Sequence, residues 1–155
     1  MKERHKMLVK DICVLDVASC GRDVSVLEAA GLMRQHHTGN LIVVDDPQGE
    51  RTPAGILTDR DIVIEVLAND LDPAKTNVST VMSSKLVIAG ASEDVADAVE
   101  RMRLHGVRRL PVVDHDGSLL GILTLDDIMT LHAAQFATLA AIVSKEQKRE
   151  QRSRR

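Results

Sequence analysis

The apolar positions of this chain fall into two rhythms that alternate and then start again. From Val26 to Gln35 they recur at Val26, Ala29, Ala30 and Met33, the spacing of an amphipathic helix with one buried face. Leu41 to Val44 is an unbroken, β-branched-rich run closed by Asp45, which predicts a buried strand. A turn containing Gly49 follows, then a second strand through Ile56 and Leu57, then a helix over Asp59 to Leu67. A short strand is expected ahead of the first helix, around Val17 to Cys20.

The same succession returns in the second half. A short strand is expected around Leu86 to Ile88. The helix over Val95 to Leu104 carries Val95, Ala98, Val99 and Met102. A strand over Leu110 to Val113, a turn at Gly117, a strand through Ile122 and Leu123 and a helix from Leu125 to Leu131 complete the order. At an offset of 69, Ala29, Met33, Arg34, His36, Leu41, Val43, Val44 and Asp45 fall on Ala98, Met102, Arg103, His105, Leu110, Val112, Val113 and Asp114. The offset then drops to 66, because the first turn is three residues longer, and holds through Gly55-Ile-Leu-Thr58 and Gly121-Ile-Leu-Thr124. The chain is therefore an internal repeat of a βαββα unit. We divide it into repeat 1 (9–68), a linker (69–77), repeat 2 (78–131) and a C-terminal helix with a basic tail (132–155). One such unit buries too little surface to be comfortably stable alone. The expected fold is α+β, with the two sheets packed together about a pseudo-twofold axis and the helices outside. Any cleft at that junction would occur twice.

Composition narrows the function classes. Apolar residues make up 44% of the 155, yet there is no Trp or Tyr, and Phe136 is the sole aromatic. The core must be aliphatic, which argues against binding nucleic acid through an aromatic stacking platform. A net charge of −3 does not suggest a polyanion-binding protein as a whole. Cys13 and Cys20 read as reduced thiols rather than a disulfide framework or zinc cluster, although a single bridge stays open. Met1 to Lys10 lacks the apolar core of a signal peptide, and no run reaches the ~18 apolar residues of a membrane span. A soluble cytoplasmic protein with no membrane partner is expected.

Chemistry concentrates in Gly55-Ile-Leu-Thr58-Asp-Arg-Asp61 and Gly121-Ile-Leu-Thr124-Leu-Asp-Asp127, where a strand ends in Thr and a helix begins at once. A Thr with Asp three residues on is a capping arrangement in its own right. The same pair also suits a sugar-phosphate. The hydroxyl can donate to a phosphate oxygen, and the carboxylate can accept from both hydroxyls of a ribose.

These motifs resemble the CBS domain family, named for cystathionine beta-synthase, and the tandem arrangement resembles a stand-alone Bateman module. The resemblance rests on Val81-Met82, Ser92-x-x-Val95-x-x-Ala98, Met102, Gly106-Val-Arg108-Arg109-Leu-Pro-Val112-Val-Asp114, Gly117 and Gly121 to Ile128. The first copy matches more loosely, through Ala29-Ala30, Met33, His37 to Asp45 and Gly55 to Ile62. The family implies a regulatory, signal-transducing module that binds adenosine ligands: AMP foremost, with ATP, ADP, NAD(H) or S-adenosylmethionine as candidates. It implies phosphate and ribose roles for Thr58, Asp61, Thr124 and Asp127. It also implies adenine contacts for Val87, Ile88 and Val112, and for Ala18 and Ile42 in the first copy. Arg108 and Arg109 match the basic residues that reach the phosphates, where the first copy has Gly39 and Asn40, so the two sites should be unequal. Arg60 is either a local compensation or a solvated helix residue.

His36, His37 and His105 lack a completing ligand set, so no metal is expected. No catalytic arrangement is readable, so the expected protein is not an enzyme. Leu131, Gln135, Phe136, Leu139, Ile142 and Val143 give a helical stripe, followed by a basic end over 145–155. That stripe suits a homodimer, with an unidentified regulated protein as further partner. Two alternatives stay open: a structural dimerisation protein whose T-x-x-D segments only cap helices, and a nucleic-acid-associated regulator using the basic tail.

Overall fold

A computed structural model describes residues 6–153; expectations for residues 1–5 and for Arg154 and Arg155 lie outside it. The order is α1 (Val9–Ile12), β1 (Ser19–Gly21), α2 (Val26–His36), β2 (Asn40–Asp45), β3 (Thr52–Thr58), α3 (Asp59–Asp61, continuing as a π-helix over Ile62–Leu67), α4 (Val78–Val81), β4 (Ala89–Gly90), α5 (Val95–His105), β5 (Arg109–Val113), β6 (Leu119–Thr124) and α6 (Leu125–Ser153). Both repeats form βαββα units. The short first strands sit one to three residues later than their apolar runs suggest.

Each repeat makes a three-stranded sheet, β1-β2-β3 or β4-β5-β6, in which the first pair is parallel and the second antiparallel. The repeat extends to irregularities. The ladder shifts between Val43 and Val44 in one sheet and between Val112 and Val113 in the other, which are equivalent positions. Ser25 caps α2 with a reciprocal Glu28 bond, and Asp94 caps α5 through the Ala96 N–H. Both helices end on a left-handed residue, His37 (φ 51°) and Gly106 (φ 62°).

The core has three parts. Cys20, Ala29, Met33, Leu41, Val43 and Leu57 form one cluster, and Ala89, Ala98, Met102, Leu110, Val112 and Leu123 form its counterpart. Ile42, Val44, Leu119 and Ile122 lie between the sheets and bind the halves together. Leading segments are exchanged. Val9 packs into the cluster of repeat 2, with its N–H donating to the Glu93 carbonyl at 2.9 Å. Val78 packs into the cluster of repeat 1, with its N–H donating to the Val24 carbonyl at 2.9 Å. Cys13 lies against one cluster and Cys20 within the other, and both are free thiols.

The exchange explains the glycine of each G-I-L-T segment. Val14 pairs with Ile122, and Ser83 with Ile56, through reciprocal backbone bonds of 2.9 to 3.0 Å. A Cβ on Gly121 would stand 2.6 Å from the Val14 carbonyl oxygen, and one on Gly55 would stand 2.7 Å from that of Ser83. Glycine is what lets the crossing segment close on the sheet.

α6 joins two expected elements: the helix from Leu125 to Leu131 and the C-terminal helix beyond it run as one unbroken helix of 29 residues, since no Gly or Pro interrupts an Ala-rich sequence. By length and composition alone it is long and apolar enough to cross a membrane, although no run of consecutive apolar residues marks it. Its counterpart α3 widens into a π-helix that ends at Leu67; beyond it the Asn69 amide donates to the Ile64 and Glu65 carbonyls at 3.2 and 3.0 Å, and Asp70 is left-handed (φ 55°).

Candidate functional site

Thr58 ends β3 and caps the helix after it. Its hydroxyl donates to Asp61 Oδ2 at 2.7 Å, its N–H donates to the same oxygen at 2.8 Å, and its Oγ1 accepts from the Asp61 N–H at 3.2 Å. At the equivalent place the Thr124 hydroxyl donates to Asp127 Oδ2 at 2.5 Å, and Oγ1 accepts from the Asp127 N–H at 3.1 Å. Capping therefore already employs the Thr hydroxyl proton. Both carboxylates keep Oδ1 without a hydrogen bond among the described residues, so each retains an acceptor for a sugar hydroxyl.

Each pair opens into a groove walled by both repeats. One cleft, of about 260 Å³, is lined by Ile56, Thr58 and Asp61 of repeat 1, by Ser83 and Lys85 of the crossing segment, and by Val107, Arg108 and Arg109 of repeat 2. The other, of about 220 Å³, is lined by Ile122, Thr124 and Asp127 of repeat 2, by Val14, Asp16, Val17 and Ala18, and by His36, Thr38 and Asn40 of repeat 1. Arg108 and Arg109 thus share a cleft with Thr58 and Asp61. The repeat to which they belong supplies only one wall.

Within the first cleft Arg108 is drawn to Asp126 at 3.0 Å, whereas the side chains of Arg109 and Lys85 form no hydrogen bond or ion pair among the described residues. Arg60 is exposed and lines neither cleft. Ala18 lines the second cleft, but Val87, Ile88, Val112 and Ile42 line neither. Ile42 and Val112 are fully enclosed, because the middle strand of each sheet is covered on both faces. Sequence reasoning missed Lys85 and its equivalent Asp16. Both were within reach of the repeat alignment, since the offset of 69 holds back to Val9 and Val78.

Burial sets the thiol chemistry. Loss of solvation pushes Cys20 up to about 11 and also raises Cys13, so both stay protonated near neutral pH. At the tip of the second hairpin, the Asp114 carboxylate beside exposed His115 raises the imidazole above its ordinary value, and Asp114 is lowered in return.

Comparison with known proteins places these features. The CBS domain model matches residues 9–68 and 78–133. The structure of Hypoxic Response Protein I with two coordinated zinc ions superposes with a TM-score of 0.70 at 32% identity, covering 80% of this chain and 98% of that one. By sequence, Hypoxic response protein 1 of Mycobacterium tuberculosis is 34% identical over 77% of this chain and 80% of its own. A CBS domain pair in complex with 5′-methylthioadenosine and S-adenosyl-L-methionine superposes with a TM-score of 0.70 at 27% identity, over 84% of this chain and 98% of that one. A hexameric CBS-CP12 protein from bloom-forming cyanobacteria superposes at 0.69 and 28% identity, over 81% and 68%.

One expectation is corrected by these neighbours. A binding chemistry of adenosine ligands with no metal does not hold for proteins of this kind, because one of them carries two zinc ions. The adenosine half agrees with the neighbour that holds two adenosine compounds. The expectation rested on the lack of a Cys, Asp or Glu cluster to complete a ligand set around His36, His37 and His105. Among the described residues no three of His, Cys, Asp or Glu gather around one point.

Proposed function

Because this chain belongs to the CBS domain family, with the family model matching both of its repeats, we propose that it is a regulatory module that binds adenosine-containing small molecules in its two clefts and catalyses no reaction. The observation that carries this reading is that each cleft takes one wall from each repeat. A ligand there touches the Thr-Asp cap of one half and the crossing segment and strand edge of the other. Its binding free energy therefore depends on how the halves sit, which is the requirement for signalling to a partner protein. The free Oδ1 of Asp61 or Asp127 accepts from the ribose. Ile56 and Val107, or Val17, Ala18 and Ile122, offer apolar contact to the base. Both clefts lie just under the ~300 Å³ at which small-molecule sites begin, so part of a nucleotide stays in solvent. The neighbour that carries methylthioadenosine and S-adenosylmethionine supports the ligand class.

Thermal shift against AMP, ADP, ATP, NAD, NADH, S-adenosylmethionine and methylthioadenosine tests the reading. A ligand at 100 times its Kd adds about 2.7 kcal/mol, roughly 5 to 10 °C in Tm for a chain of this size. No shift with any of the seven overturns it.

The assembly follows from α6, which pairs with α6 of a second copy. Met129, Phe136, Leu139, Ile142 and Val143 are each more than half exposed. Met129, Phe136 and Val143 stand seven residues apart, a coiled-coil seam. An antiparallel crossing at Phe136 brings Met129 of one copy against Val143 of the other. It also sets the basic end, Lys145 to Arg152, beside the acidic first turn of Asp126 and Asp127, whereas a parallel pair would stack the basic ends. At ~100 Å² for each of five side chains, two copies bury about 1,000 Å², the low end of a specific interface. Sedimentation of the full chain should show a dimer that Phe136→Asp with Val143→Asp converts to monomer at unchanged helix content. A wild-type monomer, a hexamer, a dimer insensitive to the double substitution, or partition into phosphatidylcholine vesicles overturns this pairing.

A further inference from the structure

The two clefts are built from equivalent positions, yet their charges are opposed. Lys85 in one stands where Asp16 stands in the other, Arg109 where Asn40 stands, and Arg108 where the first copy has Gly39. The Thr58 cleft therefore presents three cationic side chains against Asp61. The Thr124 cleft presents Asp16 and Asp127 beside His36, and neither Lys nor Arg. Arg108 shares its charge with Asp126, but the side chains of Arg109 and Lys85 have no partner among the described residues.

We infer that the clefts sort adenosine compounds by charge: the Thr58 cleft takes phosphorylated adenosine, and the Thr124 cleft takes adenosine compounds that carry no phosphate and a cationic 5′ substituent such as a sulfonium. This rests on the reading of both clefts as adenosine sites and adds the ligand class of each. Arginine's fork and the lysine ammonium stabilise phosphate oxygens at the mouth of the first cleft. In the second cleft the Asp16 carboxylate repels a phosphate and attracts a sulfonium or ammonium. The apolar base contacts stay alike, Ile56 and Ile122 being equivalent residues. The selection thus lies in the rim, while the Asp acceptor common to both holds the sugar. One chain would then register two metabolite pools at once.

Isothermal titration of the full chain with ATP, S-adenosylmethionine and adenosine tests this. ATP should bind one site per chain and S-adenosylmethionine one site, each without displacing the other. Lys85→Asp with Arg109→Asn should weaken ATP at least 30-fold and leave S-adenosylmethionine within about threefold. Asp16→Lys with Asn40→Arg should raise ATP stoichiometry from one to two and weaken S-adenosylmethionine at least 10-fold. Lys85, Arg109 and Asp16 are exposed and Asn40 is half-buried, and an unchanged Tm of each unliganded variant verifies folding. Two equal ATP sites in the wild type, or equal loss of both ligands in either variant, overturns the sorting while leaving adenosine binding intact. Failure of all three ligands to bind overturns the sorting, and the adenosine reading falls with it when AMP, ADP, NAD, NADH and methylthioadenosine give no thermal shift either.

Discussion

The half of the molecule centred on Leu57 and the half centred on Leu123 can be laid over one another position by position. Inside they agree: Ala29 with Ala98, Met33 with Met102, Leu41 with Leu110, Val43 with Val112, and even the ladder shift after that valine. At the rim they part, with Lys85 against Asp16, Arg109 against Asn40, His37 against Gly106, and a long hairpin turn against a short one. Close packing punishes change in the interior, where each residue touches many others. Exposed rim positions are nearly neutral for stability. A duplicated scaffold can therefore keep one core twice and still offer two different sites.

The largest expected effects probe the sameness of the cores. Leu57→Ala and Leu123→Ala, both at fully enclosed positions, should each cost about 2 to 5 kcal/mol, and by about the same amount in urea denaturation. The exchange of Val9 and Val78 makes the halves interdependent, so each variant should unfold in one transition. Two separated transitions would break the comparison. Next in size, Gly55→Ala and Gly121→Ala drive a Cβ to 2.7 and 2.6 Å from a backbone oxygen. The chain must shift to relieve that contact, and a loss of about 1 to 3 kcal/mol is expected in both, visible as a lower Tm. Equal stability to wild type would mean that the crossing segments do not close on the sheets.

Smaller effects probe the differences. His37 holds a left-handed φ that its equivalent Gly106 adopts freely. His37→Gly should stabilise by about 0.5 to 1 kcal/mol, and Gly106→His should destabilise by a comparable amount. Opposite signs in paired thermal melts are the expected outcome, and a common sign would refute it. The smallest effect lies at the second hairpin. Asp114 raises the His115 pKa above its unfolded value, so the contact contributes below that value and is lost as pH rises through the raised one. NMR titration should show His115 titrating above the ordinary histidine range, and Asp114→Asn should return it to that range.

Much of this was legible beforehand, and the reasons are local. Helix α2 was read from four apolar positions because the spacing of three and four is imposed by its own backbone. Thr58 and Thr124 were read as caps because the bond to Asp61 or Asp127 spans three residues. The near-identity of Gly55-Ile-Leu-Thr58 and Gly121-Ile-Leu-Thr124 exposed the repeat. The assignment of Ile42 and Val112 to the clefts did not match their place in the covered middle strands, since an apolar residue at a strand position can face a core or a cavity equally well. The helix from Leu125 and the C-terminal helix beyond Leu131 were each legible, and they merge into α6 because no Gly or Pro stands between them.

What the amino-acid sequence by itself determined is therefore everything carried by short-range geometry: two βαββα units, their order, their aliphatic cores, and a Thr-Asp cap in each. What only the tertiary structure decided is which unit supplies what to which site. Val9 enters the core of repeat 2 and Val78 that of repeat 1, and Arg108 and Arg109, though Arg109 pairs with Thr124 of their own repeat, line the cleft of Thr58 and Asp61. The two repeats share the same order of elements and nearly the same apolar pattern, so no local pattern distinguishes pairing within a unit from pairing across units. The packing of Ile42 and Val44 against Leu119 and Ile122, together with the exchanged leading segments, sets the halves in the arrangement that forms the two clefts.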